Sequence, residues 1–167
     1  MIKCLVFSDS HGSPENMVRA LRMHKDAEYV FFLGDGIRDA EGAMLYENNF
    51  IWYSVRGNCD MTGFINGECV KKNEELILFD KKIVLTHGDL FGAKSSLYGL
   101  MELADNRGAD IVLYGHTHRA GEDYVSVSGR GVYFLNPGSL SDSSFGGASF
   151  GILSIDEKSV LFSIKTL

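Results

Sequence analysis

Cysteine is scarce in this sequence, and the arrangement of the few present argues against two kinds of stabilised domain. Cys4, Cys59 and Cys69 are odd in number, and no two of them form a Cys-x-x-Cys pair. Disulfide frameworks need paired cysteines and structural zinc sites need closely spaced thiolates, so neither is expected. We predict three reduced thiols.

Proline is scarcer still, with only Pro14 and Pro137 in the chain. The sequence has no Pro-rich linker, no internal repeat and no low-complexity stretch that would divide it. A chain of 167 residues with 45% hydrophobic content is long enough to bury a core of ordinary size. We expect one domain, spanning residues 1–167.

Basic side chains are in the minority, with 16 Lys and Arg against 22 Asp and Glu and a formal net charge of -6. Stable binding to nucleic acid or to anionic lipid depends on basic clusters that this sequence lacks, so neither is expected. A substrate that carries phosphate would need another source of positive charge.

A long hydrophobic run is also lacking. The apolar stretch at residues 4–7 is far shorter than a membrane span or a targeting segment, and it runs directly into Ser8 and Asp9. We expect a cytoplasmic protein that does not associate with membranes.

The first two thirds of the chain alternate apolar strands with helical stretches, which predicts an α/β fold. The predicted strands are residues 2–7, 29–33, 50–55, a pair within 75–86 joined at Asp80-Lys81, and 111–114. The predicted helices are residues 13–24, 39–46 and 97–107. In the first of them Ser13 is the expected N-cap, and Pro14 lies in the first helical turn. In the last third, apolar runs separated by turn residues predict antiparallel hairpins over residues 124–135 and 149–164.

Side chains able to bind a metal follow directly after the predicted strands. They are Asp9, His11, Asp35, Asn58, His87, His116 and His118. In α/β sheets ligands bind in the crevice beyond the carboxyl ends of the strands, and neighbouring glycines allow several loops to approach one point. Mixed imidazole and oxygen ligands suit Mn, Fe, Ni or Zn, whereas calcium prefers oxygen throughout.

Each of these signals alone has an ordinary structural explanation. Asp35 could cap a helix, Asn58 could form an Asx-turn, and His87 could be a hydrogen-bonded histidine at a sheet end. The most specific signal is the Gly-His-Thr-His at residues 115–118, because two histidines flanking one threonine directly after a strand have few structural roles.

Taken in order, five motifs resemble those of the calcineurin-like metallophosphoesterases, and in particular the small bacterial and archaeal phosphodiesterases of the YfcE type. The motifs are Asp9-x-His11, Gly34-Asp35, Gly57-Asn58-x-Asp60, Thr86-His87-Gly88 and Gly115-His116-x-His118. The resemblance implies a four-layer α-β-β-α sandwich of two mixed sheets. It implies one metal bound by Asp9, His11, Asp35 and His118, and a second bound by Asp35, Asn58, His87 and His116. Two divalent ions are expected, manganese first, with Ni, Fe and Zn as alternatives.

The same resemblance implies hydrolysis of phosphodiester bonds by in-line attack of a hydroxide that bridges the two metals. It assigns catalytic roles to Asn58, Cys59 and Asp60, and substrate contacts to Asn58 and Thr117. Many larger members have histidine where this chain has Cys59, and a thiol protonates a leaving group poorly. Cys59 could equally be a small packing residue, and Asp60 could orient a neighbour or cap a turn.

Other residues beside the motifs leave open how the phosphate is held. Arg38, Arg56, Lys94 and Arg119 could touch phosphate or form surface ion pairs. The loop at residues 136–139 offers backbone N–H groups, but residues 140–144 carry no basic side chain, so a basic clamp is not expected there.

Two further functions compete with a diesterase. One is a phosphomonoesterase that uses the same metals, and the other is a protein-binding scaffold, the role this fold has in a retromer subunit. Retention of all seven ligands favours the enzyme. The expected partner is a small phosphoester, and exposed hairpin edges leave room for a homo-oligomer.

Overall fold

The computed structural model describes residues 1–61, 63–141 and 146–167, so part of the 140–144 segment without basic residues lies outside the described residues. Within these ranges the strands are β1 (Ile2–Phe7), β2 (Tyr29–Phe32), β3 (Ile51–Ser54), β4 (Phe64–Ile65), β5 (Glu68–Cys69), β6 (Asn73–Leu78), β7 (Lys81–Thr86), β8 (Ile111–Tyr114), β9 (Gly121–Val127), β10 (Arg130–Asn136), β11 (Ser149–Ile155) and β12 (Val160–Thr166). The helices are α1 (Pro14–Met23), α2 (Ile37–Tyr46) and α3 (Tyr98–Arg107).

The long strands form two mixed sheets of five strands each. The first has the order β12-β11-β1-β2-β3 and the second β6-β7-β8-β10-β9. In the first sheet β1, β2 and β3 run parallel, and in the second β7, β8 and β10 run parallel. The remaining strands β12, β11, β6 and β9 pair antiparallel with their neighbours.

Alternating side chains along the strands give the molecule four layers. In β1, Cys4 and Val6 face the second sheet, while Leu5 and Phe7 pack under α1 and α2. On the second sheet, Val84 contributes to a separate core beneath α3. Because successive side chains of a strand point to opposite faces, each central strand feeds two cores. The predicted α-β-β-α sandwich of two mixed sheets is confirmed.

The starts of two helices differ in detail from the prediction: α1 begins where expected without its side-chain cap, and α2 begins earlier. Pro14 occupies the first turn of α1 as expected, but the Ser13 side chain makes no capping hydrogen bond within the described part of the chain. Helix α2 begins at Ile37, two residues before the predicted start. Its first N–H groups point at the carboxylate of Asp60, which accepts from Gly36 at 2.8 Å and from Ile37 at 3.0 Å. A cap supplied from 23 residues away leaves no local sequence signal.

The predicted hairpins of the last third are confirmed as β9–β10 and β11–β12. The β6–β7 turn lies at Phe79 and Asp80, one residue earlier than predicted, and both residues have positive φ as a tight hairpin turn requires. Sequence reasoning missed the β4–β5 hairpin, whose two-residue strands are too short for a periodic pattern. Its Asn66-Gly67 turn was the available signal, because this dipeptide favours two-residue hairpin loops. Among the residues described, no helix is both long and apolar enough to cross a membrane.

Candidate metal centre

The side chains predicted to bind metal follow the parallel strands of both sheets at their carboxyl ends. In the first sheet the loops after β1, β2 and β3 carry Asp9 with His11, then Asp35, then Asn58. In the second sheet the loops after β7 and β8 carry His87, His116 and His118. The two sheets thus contribute ligand-type side chains to one end of the sandwich.

Asp9, His11 and His118 form the first group. Oδ1 of Asp9 lies 3.2 Å from Nε2 of His118 and 3.7 Å from Nε2 of His11. The two imidazole nitrogens are 3.3 Å apart. All three atoms fall within 4.8 Å of one another, which is the spacing of ligands around one cation.

Asp35, His87 and His116 form the second group, again within 4.8 Å. Oδ2 of Asp35 lies 3.3 Å from Nε2 of His87 and 3.8 Å from Nε2 of His11. Asp35 therefore faces members of both groups with one oxygen atom, which is the position of a bridging ligand.

Two buried atoms of the centre lack a hydrogen-bond partner among the described residues. They are Oδ1 of Asp9 and Nε2 of His87, both on fully buried side chains. The other ring nitrogen of His87, Nδ1, donates to the carbonyl oxygen of Leu33 at 2.8 Å, which leaves Nε2 with its lone pair directed inward. A buried polar atom without a partner costs about 1–3 kcal/mol, so a cation between these atoms fits the donor set.

The two carboxylates are held in their charged form. Burial raises the pKa of Asp9, but the neighbouring His11 and His118 imidazoles, with His87 and the Ser8 hydroxyl, outweigh burial and leave that pKa well below its usual range. Burial likewise raises the pKa of Asp35, and the neighbouring His87 imidazole together with the hydrogen bond from the Cys59 N–H brings it down to about 2. Two negative charges at the base of the loops attract a cation.

The pKa values of the histidines are shifted in opposite directions by their surroundings. Burial lowers the pKa of His87, but the carboxylates of Asp35 and Asp9 outweigh burial and raise it. The neighbouring Asp9 carboxylate raises the pKa of His11. Burial lowers the pKa of His116, and His87 beside it lowers it further. A raised pKa means that His87 and His11 hold a proton more tightly, so metal binding at these nitrogens competes with protonation.

Five of the seven predicted ligands have left-handed backbone conformations. Their φ angles are 54° at Asp9, 43° at His11, 58° at Asp35, 67° at His116 and 58° at His118. A residue with a side chain pays about 1–2 kcal/mol for this conformation, which persists where surrounding structure enforces it. Strain concentrated on these positions is typical of a functional site.

Glycines allow the ligand loops to approach closely. A side chain on Gly57 would collide with the Asp35 carboxylate, and one on Gly34 would collide with the backbone of Gly57. One on Gly115 would collide with the Ser8 hydroxyl, which donates to Oδ2 of Asp9. A larger residue at Gly34, Gly57 or Gly115 would therefore not fit without moving a ligand loop.

Asp60 joins two ligand loops through its carboxylate. One oxygen accepts from the backbone N–H groups of Asp35 and Gly57, each at 2.8 Å. The other accepts from Gly36 at 2.8 Å and Ile37 at 3.0 Å. These four bonds give Asp60 a positioning role for Asp35; the catalytic role expected from the sequence stays a prediction.

Asn58 and Cys59 are exposed and adjacent to Asp35. The Asn58 amide donates to Sγ of Cys59 at 3.3 Å, and the Cys59 N–H donates to Oδ1 of Asp35 at 2.8 Å. Sγ of Cys59 falls within 4.8 Å of ligand atoms of His11 and Asp35. Ligation by Asn58 and chemistry by Cys59 stay predictions.

Thr117, expected to contact substrate, has its hydroxyl engaged in its own loop. That hydroxyl accepts from the amide of Asn136 at 3.0 Å and from the Arg119 N–H at 3.2 Å. The Asn136 amide also donates to the carbonyl oxygen of Gly115 at 3.1 Å. Thr117 therefore shapes the loop of His116 and His118, and its contact with substrate stays a prediction.

Sequence reasoning missed the polar side chains that support the first ligand loop. Asp39 accepts from the Ser10 hydroxyl at 2.6 Å and from the Gly12 N–H at 2.8 Å. The hydroxyls of Ser139 and Ser141 donate to the carbonyl oxygen of Asp9, at 2.8 and 3.0 Å. The 136–141 segment thus supports the Asp9 loop through these two hydrogen bonds. Its Asn-Pro-Gly-Ser sequence was the available signal.

A pocket flanks the centre on each side. One, of about 610 Å³, is lined by Thr117, His118, Lys94 and Arg119 among others. The other, of about 520 Å³, is lined by residues that include His11, Cys59, Met61 and Arg38. Three of the four basic residues expected near phosphate therefore border the site: Arg38, Lys94 and Arg119.

Comparison with known proteins matches residues 2–158 to the calcineurin-like phosphoesterase superfamily domain. The phosphodiesterase YfcE of Escherichia coli K12 is 32% identical, across 96% of this chain and 92% of that protein. A solved structure of a predicted phosphoesterase from Streptococcus pneumoniae TIGR4 is similar with a TM-score of 0.80 at 25% identity, over 99% of this chain and 89% of the other. Vacuolar Protein Sorting 29 of Cryptosporidium parvum shares the fold, with a TM-score of 0.74 at 20% identity, over 99% of this chain and 98% of the other.

Proposed function

Because the chain belongs to the calcineurin-like phosphoesterase superfamily, we propose that it is a phosphodiesterase dependent on two divalent metal ions. The observation that carries this proposal is the shared carboxylate. Oδ2 of Asp35 lies 3.3 Å from Nε2 of His87 and 3.8 Å from Nε2 of His11, so it can serve both ligand groups. One group would hold its ion with Asp9, His11 and His118, and the other with His87, His116 and Asn58.

Bound divalent ions supply Lewis acidity and an acidified water, and they neutralise charge on a phosphoryl group. The residues of the chain fix where this happens. Asp60 and the glycine contacts hold the Asp35 loop, while Ser139 and Ser141 hold the carbonyl of Asp9. Ligands that are already held in position need little reorganisation during the reaction, so its free-energy cost is small.

Similarity to YfcE, which is named a phosphodiesterase, supports a diester over a monoester as the substrate. A diester carries one negative charge on its phosphoryl group and a monoester close to two. Arg38, Lys94 and Arg119 border the site, so charge does not select between the two substrates, which have to be compared directly.

Cys59 limits which esters turn over quickly. Burial and the neighbouring Asp35 carboxylate raise the pKa of its thiol. A thiol that holds its proton more tightly than usual is a weak general acid at neutral pH. We infer that diesters with acidic leaving groups are hydrolysed fastest.

The metal is proposed to be manganese, with nickel, iron and zinc as alternatives. The ligand groups combine histidine nitrogens with carboxylate oxygens, a donor set that all four ions accept. Calcium is disfavoured because it prefers oxygen ligands throughout.

The test starts from protein stripped of metal by chelation. Bis-p-nitrophenyl phosphate and p-nitrophenyl phosphate are offered in parallel, with Mn, Ni, Zn and Mg added back in turn. We expect diester hydrolysis that requires metal and exceeds monoester hydrolysis, and near-complete loss in Asp35→Asn. Preference for the monoester would overturn the substrate class. If the wild type is folded but inactive with every metal, and so behaves like a folded Asp35→Asn control, a scaffold would be favoured instead.

A further inference from the structure

The packing of α1 against α2 leaves an open groove of about 670 Å³ on the outer face of the first sheet. One wall is formed by residues of α1 spaced four apart, Pro14, Val18 and Arg22, and the other by Arg38, Gly42 and Tyr46 of α2. Residues four apart share one face of a helix, so each helix presents a continuous wall.

Gly42 creates the space. It lies at the middle of the α2 wall, and a Cβ atom built on it would meet nothing within 4 Å. The groove surface is mainly apolar, and Met23 and Tyr46 at its far end are 60% and 73% exposed. A helix of ten residues spans about 15 Å, which sets the length of the groove.

The groove adjoins the pocket beside the metal centre, because the two share lining residues. Arg38 and Asp39 line both the groove and the 520 Å³ pocket that contains His11, Asp35 and Cys59. Asp39 also holds the first ligand loop, because it accepts hydrogen bonds from Ser10 and Gly12. The rim of the centre and the start of the groove are thus the same residues.

We propose, on the basis of the phosphodiesterase function above, that this groove binds one ester arm of the substrate and that this arm is an apolar chain. The phosphoryl group sits at the centre, and the chain passes Arg38 and extends between the helices toward Met23 and Tyr46. The volume of about 670 Å³ falls within the usual range for small-molecule sites, about 300–1,000 Å³.

The charged residues that line the groove bear on whether the arm is charged or uncharged. Arg19, Arg22 and Arg38 border the groove against the carboxylates of Glu15 and Asp39. Asp39 is occupied by Ser10 and Gly12, and Arg22 pairs with Glu47 at 2.9 Å. The remaining rim charges balance, Arg19 and Arg38 against Glu15 and Asp39, so they offer a cation no net attraction. The apolar surface, to which the arginine stems contribute, would remove part of the hydration of a cation. An uncharged alkyl arm therefore fits better than a cationic arm of similar size.

The test is a series of p-nitrophenyl alkyl phosphates with ethyl, butyl and hexyl arms, hydrolysed by the metal-loaded protein. Complete burial of one methylene contributes about fourfold in binding, so a half-open groove should raise kcat/KM about tenfold from ethyl to hexyl. p-Nitrophenyl phosphorylcholine, whose arm matches butyl in length and hexyl in number of non-hydrogen atoms, should show no such gain. Equal rates for all alkyl esters, or a preference for the choline ester, would overturn the proposal.

Gly42→Trp fills the groove without crowding the backbone, and Leu45→Trp is its control, because Leu45 lies on the same helix, is 77% exposed and does not line the groove. Gly42→Trp should keep the ethyl ester rate within about twofold and lose the gain for hexyl, whereas Leu45→Trp should keep both. Gly42→Ala, which favours the helix, should reduce the gain only partly. An equal loss for ethyl and hexyl esters in Gly42→Trp would contradict the proposal. Failure to hydrolyse any diester would instead sink the phosphodiesterase function itself.

Discussion

The buried Nε2 of His87 lies 4.0 Å from Oδ1 of Asp9, and neither atom has a hydrogen-bond partner within the described ranges. One atom belongs to the second sheet and the other to the first, so the two halves of the sandwich meet at a pair of unsatisfied ligands. Natural proteins rarely leave two buried polar atoms facing each other without a partner. A cation between the sheets resolves both.

Replacing Asp60 should weaken the fold and the metal site together. An asparagine side chain at this position would present one acceptor oxygen and one donor nitrogen to four backbone N–H groups, so Asp60→Asn loses about two hydrogen bonds to a charged acceptor. The free energy of unfolding should fall by about 3 kcal/mol, and metal affinity by about 10- to 100-fold. Urea denaturation and metal titration measure the two effects.

The chain offers a matched control for that substitution. Asp156 accepts from the N–H groups of Lys158 and Ser159 and from the Ser159 hydroxyl, in the turn between β11 and β12. All three donors meet the single oxygen Oδ1, which an asparagine keeps, so Asp156→Asn should change stability little and leave metal affinity unchanged. If both variants weaken metal binding equally, Asp60 has no specific positioning role.

The three thiols should react at very different rates. Cys4 is fully buried, and burial together with Glu28 raises its pKa to about 12, whereas Cys59 and Cys69 are exposed. A thiol-specific chromogenic reagent should therefore label two cysteines in the native protein and the third only after unfolding. Bound metal should slow labelling of Cys59, and Cys69→Ser isolates that signal. Fast labelling of three thiols would contradict the burial of Cys4.

The contribution of His87 to the stability of metal-free protein should fall with rising pH. Its raised pKa means that the folded state holds this proton more tightly than the unfolded state, whose histidines titrate near about 6.5. This contribution is complete below the unfolded value and is lost as pH rises through the folded value. His116 and His24, whose pKa values are lowered, have the opposite slope, so wild type is compared with His87→Gln by urea unfolding in chelator at pH 6 and pH 9. The stability difference between the two proteins should be larger at pH 6, and an equal or larger difference at pH 9 would contradict the prediction.

Cys59→His should change how the rate depends on the leaving group. An imidazolium is a better proton donor than a thiol at neutral pH, so the variant should gain most on diesters with poor leaving groups. Rates measured across a series of leaving-group pKa values should therefore fall less steeply than in the wild type. Cys69→His introduces the same side chain at another exposed cysteine and should leave the slope unchanged. An unaltered slope in Cys59→His would show that Cys59 takes no part in proton transfer.

Much of the fold was predictable because its signals are local. Apolar runs ending in Asp, Asn or His marked the strands β1, β2, β7 and β8 and the loops that follow them. Parallel strands bring their carboxyl ends to one edge, so placing the strands also places the loops. The pattern could not give the left-handed conformations of Asp9 and Asp35, which depend on contacts from several loops.

The supporting residues were less predictable because their partners are distant in the chain. Asp60 contacts N–H groups 23 to 25 residues earlier, and Ser139 reaches Asp9 over 130 residues. The Gly-Asn-Cys-Asp and Asn-Pro-Gly-Ser sequences mark the two segments, but they do not give the distant N–H or carbonyl group that each side chain reaches. The groove between α1 and α2 depends in the same way on how two helices pack, although Gly42 is a visible irregularity in one of them.

The most direct test of the account is the number of metal ions that each chain binds. Metal-free protein is equilibrated with manganese, dialysed against a low concentration of the ion and assayed by elemental analysis. We predict two ions per chain in the wild type and fewer in Asp35→Asn, because Asp35 faces both ligand groups. A wild-type protein that stays folded and binds no manganese, nickel, iron or zinc would contradict the account.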